Sequence, residues 1–406
     1  MKLICNSNTL MENFESECLN RIPADLLAYS EMTDAERRFI NGLIRYHRPK
    51  RILEIGVAEG AGSLVILNTI QDDSDAYLTS IDIADYHYNY SNANEKMHVG
   101  EVAKNCNNLD SSDSKWKLIT GKDPVEVMES IGIIDFCIID SGHVHPIESL
   151  NFLVVLPYLS ADAIVVLHDI AIYRSYIPEF RNMHAPKLLF DSVVADKLLP
   201  CQRAYYNIAA FQITPGTRKY ISNVFSMLSF RWDCPPAMLS NHYDYFLKHY
   251  NSDFVEYYLE AIRANVPLLA GQGTSVSVSP GLKKHFSSAW DDLVSKKGII
   301  LYGAGSNCLK LLEFWGTHKH LYAEVLLPPV FEIWDINADK ISSVHNIPVV
   351  LPRFSTLNGS SDYAVIITLQ SKGSYYFVSL EITKNGFSNV FEFDDILPML
   401  TAKGLA

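Results

Sequence analysis

The chain has 406 residues, of which 48% are hydrophobic and 20% charged, and its formal net charge is −12. That length exceeds one ordinary hydrophobic core, so two domains are expected. With an acidic balance and no basic stripe, binding to a nucleic-acid backbone is excluded as a working idea. The seven cysteines are scattered, odd in number and without a CxxC pair, which argues against a disulfide framework or a zinc–cysteine centre. The first residues lack the long apolar core of a signal peptide, and no apolar run approaches the ~18 residues of a membrane span. A soluble, reduced, cytoplasmic protein without a membrane partner is therefore expected.

Residues 1 to about 30 give no clear pattern. Thr33 to His47 reads as a helix, with Thr33 as cap, Glu36 completing a capping box and Phe39, Leu43 and Ile44 as the apolar stripe. Pro49 ends it. Arg51-Ile-Leu-Glu-Ile55 then reads as a short buried strand, Gly56, Gly60 and Gly62 as a bare turn, and Ser63 onward as a helix. A strand that passes through a glycine turn into a helix leaves unpaired N–H groups at the helix start. Glycine there admits a ligand close to the backbone. Glu54 would repel a pyrophosphate but suits a cationic sulfonium beside an ammonium. Tyr77 to Ile83 reads as the next strand and carries Asp82, where a doubly wound fold sets a carboxylate on ribose hydroxyls.

Glu54-Ile-Gly-Val-Ala-Glu-Gly60, with Asp82 on the following strand, resembles motifs I and II of class I S-adenosylmethionine-dependent methyltransferases. The resemblance implies that Glu54, Gly56, Gly60, Ser63 and Asp82 bind this cofactor. Asp123, in the loop Gly121-Lys-Asp-Pro124, would lie beside the adenine, although turn chemistry explains it nearly as well. The aromatic loop after Asp82, with Tyr86, His87, Tyr88 and Tyr90, reads equally as a solvated loop or as a ligand wall.

Strand and helix alternate from 51 to 215, the signature of a parallel sheet covered on both faces. Candidate strands are 51–55, 77–83, 116–119, 134–140, 162–167 and 207–213. Two of them end in acid and imidazole, as Asp140-Ser-Gly-His143 and His168-Asp169. Ligands of open parallel sheets sit at the carboxyl ends of strands, so these four groups should meet near Glu54 and Asp82. Pro146 should start the crossover helix and leave His143 on the loop before it. The order of these motifs resembles the small-molecule and sugar O-methyltransferase branch, with relatives of the cephalosporin hydroxylase-like proteins. That resemblance implies a divalent cation, magnesium in the first instance, on Asp140 and Asp169. His168 stands where metal-binding relatives often carry another acid. His143 is the candidate general base, because an imidazole titrates near neutral pH. Asp140 and His168 are its catalytic neighbours, and a pocket-shaping role for both histidines is the plainer alternative.

Residues 216–294 form an aromatic-rich helical connector, in which the spacing of Phe225, Tyr245, Phe246, Tyr250 and Tyr258 favours packing over a ligand box. Gly271 to Gly281 is Gly/Ser-rich and reads as a linker. From 295 a second strand–glycine–helix unit begins with Gly298-Ile-Ile-Leu-Tyr-Gly-Ala-Gly-Ser306 and continues through Glu332 to Asp335. It resembles the small Rossmann-like domain attached to many bacterial polysaccharide and nucleotide-sugar enzymes. Its third glycine is replaced by Cys308, which leaves a scaffold role slightly ahead of dinucleotide binding. As a scaffold glycine, Gly305 should matter for stability or assembly.

The expected architecture is α/β: a doubly wound Rossmann-like methyltransferase domain at 1–215, the helical connector at 216–294, and a second, smaller Rossmann-like domain at 295–406. The expected function is methyl transfer to oxygen of a small polar acceptor, a sugar or nucleotide sugar, by a homo-oligomer. Two readings stay open beside it. One is a non-catalytic accessory protein that holds the cofactor or a nucleotide sugar. The other is an NAD-dependent enzyme using Gly303 to Cys308 and Asp335.

Overall fold

The computed structural model describes residues 21–86, 97–106, 115–175, 177–200, 207–232, 242–265, 280–317, 328–354, 361–369, 378–379, 381–396 and 399. Most of the tyrosine loop after Asp82, and the Gly/Ser-rich segment up to residue 279, lie outside them. The chain divides into two units, Met1–Asn265 and Val266–Ala406. The helices expected as a connector are shared out between these two units.

In the first unit, helix α1 (Asp34–His47) starts at the anticipated capping box. Thr33 Oγ1 accepts from Glu36 N at 3.4 Å, and Glu36 Oε2 accepts from Thr33 N at 2.6 Å. The helix stops where Arg48 turns left-handed at φ 49. Its face of Phe39, Ile40, Leu43 and Ile44 is buried against Ile52, Leu78, Phe136, Ile138, Ile164 and Val166 of the sheet. Each such side chain removed from water contributes about 1.5–3 kcal/mol.

The sheet holds β1 (Arg51–Ile55), β2 (Tyr77–Ile81), β3 (Trp116–Ile119), β4 (Ile134–Ile139), β5 (Leu159–His168), β6 (Asp196–Leu198) and β7 (Ile208–Gln212). Their order is β3-β2-β1-β4-β5-β7-β6. The first five strands run parallel to one another, whereas β7 runs antiparallel to both β5 and β6. The sequence pattern suggests parallel strands throughout, and β7 departs from it. Helix α4 (Ala185–Ser192) and β6 intervene between β5 and β7, and the chain returns without a crossover to a parallel position. β6 itself has three residues, two of them exposed, too few to show an alternating pattern.

Strand order reverses between β1 and β4, and the helices α2 (Ala61–Ile70) and α3 (Ile147–Val155) follow these two strands. This reversal is where ligands enter doubly wound sheets. Gly56 closes the mouth tightly: a Cβ added there would lie 1.7 Å from the Asp140 carbonyl oxygen, and φ is +87.

The aromatic residues pack as expected from their spacing. Helices α5 (Ser222–Met227), α6 (His242–His249) and α7 (Ser252–Asn265) gather Phe246 and Phe254 around Phe225, at ring separations of 5.4 and 5.3 Å. Tyr245 and Tyr250 each donate a hydroxyl, at 2.5 Å, to the Val154 and Leu153 carbonyls at the end of α3. Those carbonyls lack an intrahelical partner, so the tyrosines both cap the helix and anchor the layer.

The second unit has helices α8 (Pro280–Val294) and α9 (Ser306–Thr317) and strands β8 (Gly298–Tyr302), β9 (Val330–Trp334), β10 (Ser343–Val344), β11 (Ile347–Val350), β12 (Tyr363–Ile367) and β13 (Val390–Glu392). Strand order is β10-β11-β9-β8-β12-β13, with only the short β10 antiparallel to its neighbour. Asp335, just past β9, accepts from the Ala304 N–H at 2.7 Å. Buried Cys308 faces inward from α9 where a third glycine would have allowed closer packing. No helix among the described residues is long and apolar enough to cross a membrane.

Candidate active site

A cavity of about 320 Å³ opens at the strand reversal of the first unit. It is lined by Glu54, the turn from Gly56 to Gly62, Asp82 and Asp123, and also by Asp140, His143 and His168. Two sets of residues, read separately from the sequence, thus share one chamber.

Glu54, near the carboxyl end of β1, is 4% exposed. Its Oε2 accepts from the hydroxyls of Ser63 and Ser80, each at 2.6 Å. Ser80 stands opposite Glu54 in the β1–β2 register and accepts in turn from Trp116 Nε1 at 2.9 Å. Burial pushes the Glu54 carboxyl up to about 7; the Asp140 and Asp82 charges add to this, and the two hydroxyls oppose it. A cationic ligand beside Glu54 would favour its charged form. Ser63 is fully buried and gives its hydroxyl to Glu54, so it reaches the cavity only through that carboxyl.

Asp82 follows β2 and braces the glycine turn. Its Oδ2 accepts from Val57 N at 2.9 Å and Ala58 N at 3.4 Å, and Oδ1 accepts from Ala84 N at 2.9 Å. Gly60 sits at φ +95, and a Cβ there would stand only 2.7 Å from Gly100 Cα, so a side chain would collide with backbone. Asp123 caps the short helix Pro124–Val127 by accepting from Val125 N at 2.9 Å. It borders the cavity while carrying out the turn role that the sequence also allowed.

Asp140, His143 and His168 of the lining belong to a charged cluster that also includes Asp169. His143 Nε2 lies 3.1 Å from Asp169 Oδ2 and 3.8 Å from Asp140 Oδ1. His168 Nδ1 lies 3.2 Å from Asp140 Oδ1 and 3.5 Å from Asp169 Oδ2, and its Nε2 faces Glu36 Oε2 at 3.8 Å. Burial disfavours the His168 imidazolium, but the Asp140 charge and bonds to Asp140, Asp169 and Glu36 outweigh it, so the ring is held well above the ordinary histidine range. The Asp169 carboxyl moves down: burial raises it, and His168, His143 and Asn207 together lower it further. The surrounding carboxylates thus favour the charged form of His168. One oxygen or nitrogen from each of Asp140, His143 and Asp169 lies within 4.8 Å of the others, so His143 joins the two acids that the sequence put forward for a metal.

Three residues here escaped the sequence reading. Glu36 entered it only as a cap, yet its carboxylate also faces His168, and its carboxyl is lowered because His168 and Thr33 outweigh burial. Asn207 holds Asp169 Oδ1 with its amide and accepts from Ala171 N at 3.1 Å. Glu148, in the first turn of α3, is fully buried; its Oε1 accepts from His143 N at 2.5 Å and from Ser141 Oγ at 3.2 Å. Pro146 stands immediately before α3, whose first residue is Ile147.

Residues 53–170 match the family model of a methyltransferase domain. No curated protein matches the chain. Solved structures of similar fold include an O-methyltransferase from Bacillus cereus in complex with S-adenosylhomocysteine, at 17% identity and TM-score 0.33, covering 52% of this chain and 93% of that one. Another is the O-methyltransferase TomG from Streptomyces achromogenes, in complex with S-adenosylmethionine, at 15% identity and TM-score 0.33, covering 51% and 87%. A third is CalS11, a TDP-rhamnose 3'-O-methyltransferase of calicheamicin biosynthesis, at 16% identity and TM-score 0.33, covering 50% and 93%. The matched segment runs through β1, the glycine turn, β4 and β5, the elements that build the cavity. Over residues 53–170 the chain is therefore similar to a methyltransferase domain.

Proposed function

We propose that the protein transfers the methyl group of S-adenosylmethionine to an oxygen of a small polar acceptor, a sugar or nucleotide sugar. The observation that carries this reading is the shared cavity. Glu54, the glycine turn and Asp82 line it together with Asp140 and His143, which cluster with Asp169 behind the lining. In this reading Glu54 faces the amino-acid end of the cofactor, Gly56 and Gly60 admit it, and Asp82 takes the ribose hydroxyls. Ser63 sets the Glu54 carboxyl, and Asp123 borders the adenine. Ser30 and Glu31, just ahead of α1, also line the cavity and would give a hydroxyl-rich acceptor polar partners.

Methyl transfer asks the protein mainly for alignment, because the sulfonium is already activated. The acceptor hydroxyl must also lose its proton. His143 is the group placed to take it through Nε2, the ring nitrogen aimed at the space between the two acids. A divalent cation fits the same three donors, since their spacing and their mix of carboxylate and imidazole suit magnesium or manganese. Bound there, it would lower the pKa of the hydroxyl. Asp140 and Asp169 would hold the cation, and His168 keeps both acids charged and oriented.

The test is methyl transfer from labelled S-adenosylmethionine to a panel of sugars and nucleotide sugars, run with and without chelator and with His143→Ala. Turnover untouched by both treatments would refute base and metal alike. Calorimetry with S-adenosylhomocysteine and with NAD separates the rival readings. Binding of NAD alone would assign the ligand chemistry to the second unit, and cofactor binding without turnover would leave an accessory protein.

A further inference from the structure

Asn151 has no part in the function proposed above, yet it lines the cavity from the second turn of α3 and is only 6% exposed. An asparagine amide offers two N–H donors and one carbonyl acceptor, and its partners decide which way it is turned. Here a short relay decides. Glu148 Oε1 accepts from the His143 backbone N–H at 2.5 Å and from the Ser141 hydroxyl at 3.2 Å. The hydroxyl proton is spent on that carboxyl, so Ser141 Oγ can only accept from its other neighbour, and Asn151 Nδ2 donates to it at 3.0 Å. The amide is therefore turned with its nitrogen toward the loop after β4. Its Oδ1 makes no hydrogen bond among the described residues. A carbonyl oxygen this deep without a protein donor is normally paired by a ligand or by water.

In the proposed reading the donors of the cofactor have carboxylates of their own, Glu54 for the amino-acid end and Asp82 for the ribose. A neutral amide carbonyl suits a neutral hydroxyl, whereas an ammonium gains more from a charged oxygen. Ser141, which orients Asn151, also lines the cavity, in the same loop as His143. We propose that Asn151 is a specificity-determining residue of the acceptor site: its Oδ1 accepts a hydrogen bond from a sugar hydroxyl other than the one that is methylated. The proposal rests on the reading of the cavity as the place of a hydroxyl-rich acceptor. An acceptor-only atom takes a donor and refuses another acceptor. A ring position that is deoxygenated, already methylated or phosphorylated has no proton to give, so the carbonyl would be left unpaired against it. Asn151 thus selects acceptors with a free hydroxyl at a second position.

The experiment is carbon NMR of the full chain labelled at the asparagine side-chain carbonyl. The Asn151 signal is the one lost in Asn151→Leu, or in Asn151→Asp, which keeps the shape, if the first variant does not fold. S-adenosylhomocysteine is added first, then methyl α-D-glucopyranoside, UDP-glucose or tetrahydropyran, the last being the same ring without hydroxyls. The expected result is a downfield move of the Asn151 carbonyl with at least one of the two sugars, as its oxygen gains a hydrogen bond, and none with tetrahydropyran. The Asn151 variant should bind that sugar about threefold to tenfold more weakly, the loss of one neutral hydrogen bond, and bind S-adenosylhomocysteine within about twofold of wild type. A carbonyl that answers to S-adenosylhomocysteine instead, that stays still with both sugars, or that moves equally with tetrahydropyran overturns the proposal. Methyl transfer to the same two sugars tests the functional reading separately. Movement without transfer removes that reading and leaves the contact standing, whereas transfer beside a still carbonyl removes the contact alone.

Discussion

His143 Nε2 and Asp169 Oδ2 meet at 3.1 Å, and both residues hold the same left-handed backbone, φ 57. They leave neighbouring strands β4 and β5, so the contact depends on two strained turns rather than on regular structure. Glu148 restrains the first, and Asn207, through Asp169 Oδ1 and Ala171 N, restrains the second. Substituting Asn207 by Ala should release Asp169, lower turnover, and cost about 1–3 kcal/mol of stability by removing its bonds to Asp169 and to the Ala171 N–H. Urea unfolding together with turnover checks both effects.

Asp82 should matter to cofactor affinity for two reasons. In the proposed reading it takes the ribose hydroxyls, and it braces Val57 and Ala58. Asp82→Ala is expected to weaken S-adenosylhomocysteine binding by about 1.5–3 kcal/mol, roughly tenfold to a hundredfold. An unchanged dissociation constant by calorimetry would place the ribose elsewhere.

Glu54 makes stability depend on pH. Its folded carboxyl titrates at about 7, raised from 4.5 mainly by burial. A raised acid favours folding below its unfolded pKa, and that contribution is lost as pH rises through the folded value. Between roughly pH 4.5 and 7 the wild type should lose stability from this group, up to about 3 kcal/mol. Glu54→Gln removes the titration, so it should unfold at a higher temperature than wild type at pH 8 and show no such advantage at pH 5. Melting curves at the two pH values decide it, and equal differences at both would refute the assignment.

The mouth between β1 and β4 tolerates no side chain at Gly56. A Cβ there collides with the Asp140 carbonyl, on a backbone at φ +87. Gly56→Ala should cost about 2–4 kcal/mol and also abolish cofactor binding, as read by urea unfolding and calorimetry.

The second unit gives a sharper pair. Gly305 was expected to matter as a scaffold glycine, but a Cβ there meets nothing within 4 Å and its φ is ordinary for any residue. Gly303 is the constrained one, at φ +108 with Leu369 Cδ2 at 2.9 Å. Gly303→Ala should destabilise by about 1–3 kcal/mol, whereas Gly305→Ala should stay within about 1 kcal/mol of wild type. Denaturant titrations of the two variants make the comparison.

The parts of the fold legible in the sequence were those that repeat or end on chemistry. Buried strands such as Arg51–Ile55 and Ile134–Ile139 announce themselves as apolar runs, and the rule that ligands sit at strand ends gathers Asp82, Asp140, His143, His168 and Asp169 without coordinates. Glu36 and Glu148 could not be read this way. Each lies in a helix first turn, where an acid already has a local explanation, and its second partner is far away or set by a backbone angle that no periodicity reveals. Asn207 joins the site only because β7 turns back antiparallel beside His168, at the register Ile208 to His168. Such a reversal depends on the chain between the strands, where pattern is weakest.

Trp116 gives the cavity an optical handle. Its indole N–H ends on Ser80 Oγ, and that hydroxyl ends on Glu54 Oε2. Two hydrogen bonds thus join a fluorophore to a buried acid that lines the chamber. Indole emission shifts with the charge and polarity at its N–H, so ionisation of Glu54 or arrival of a sulfonium should change the colour of this one tryptophan. The chain has 5 tryptophans, so the component that vanishes in Trp116→Phe is the one to follow, and a titration of the native protein would then report occupancy without any added dye.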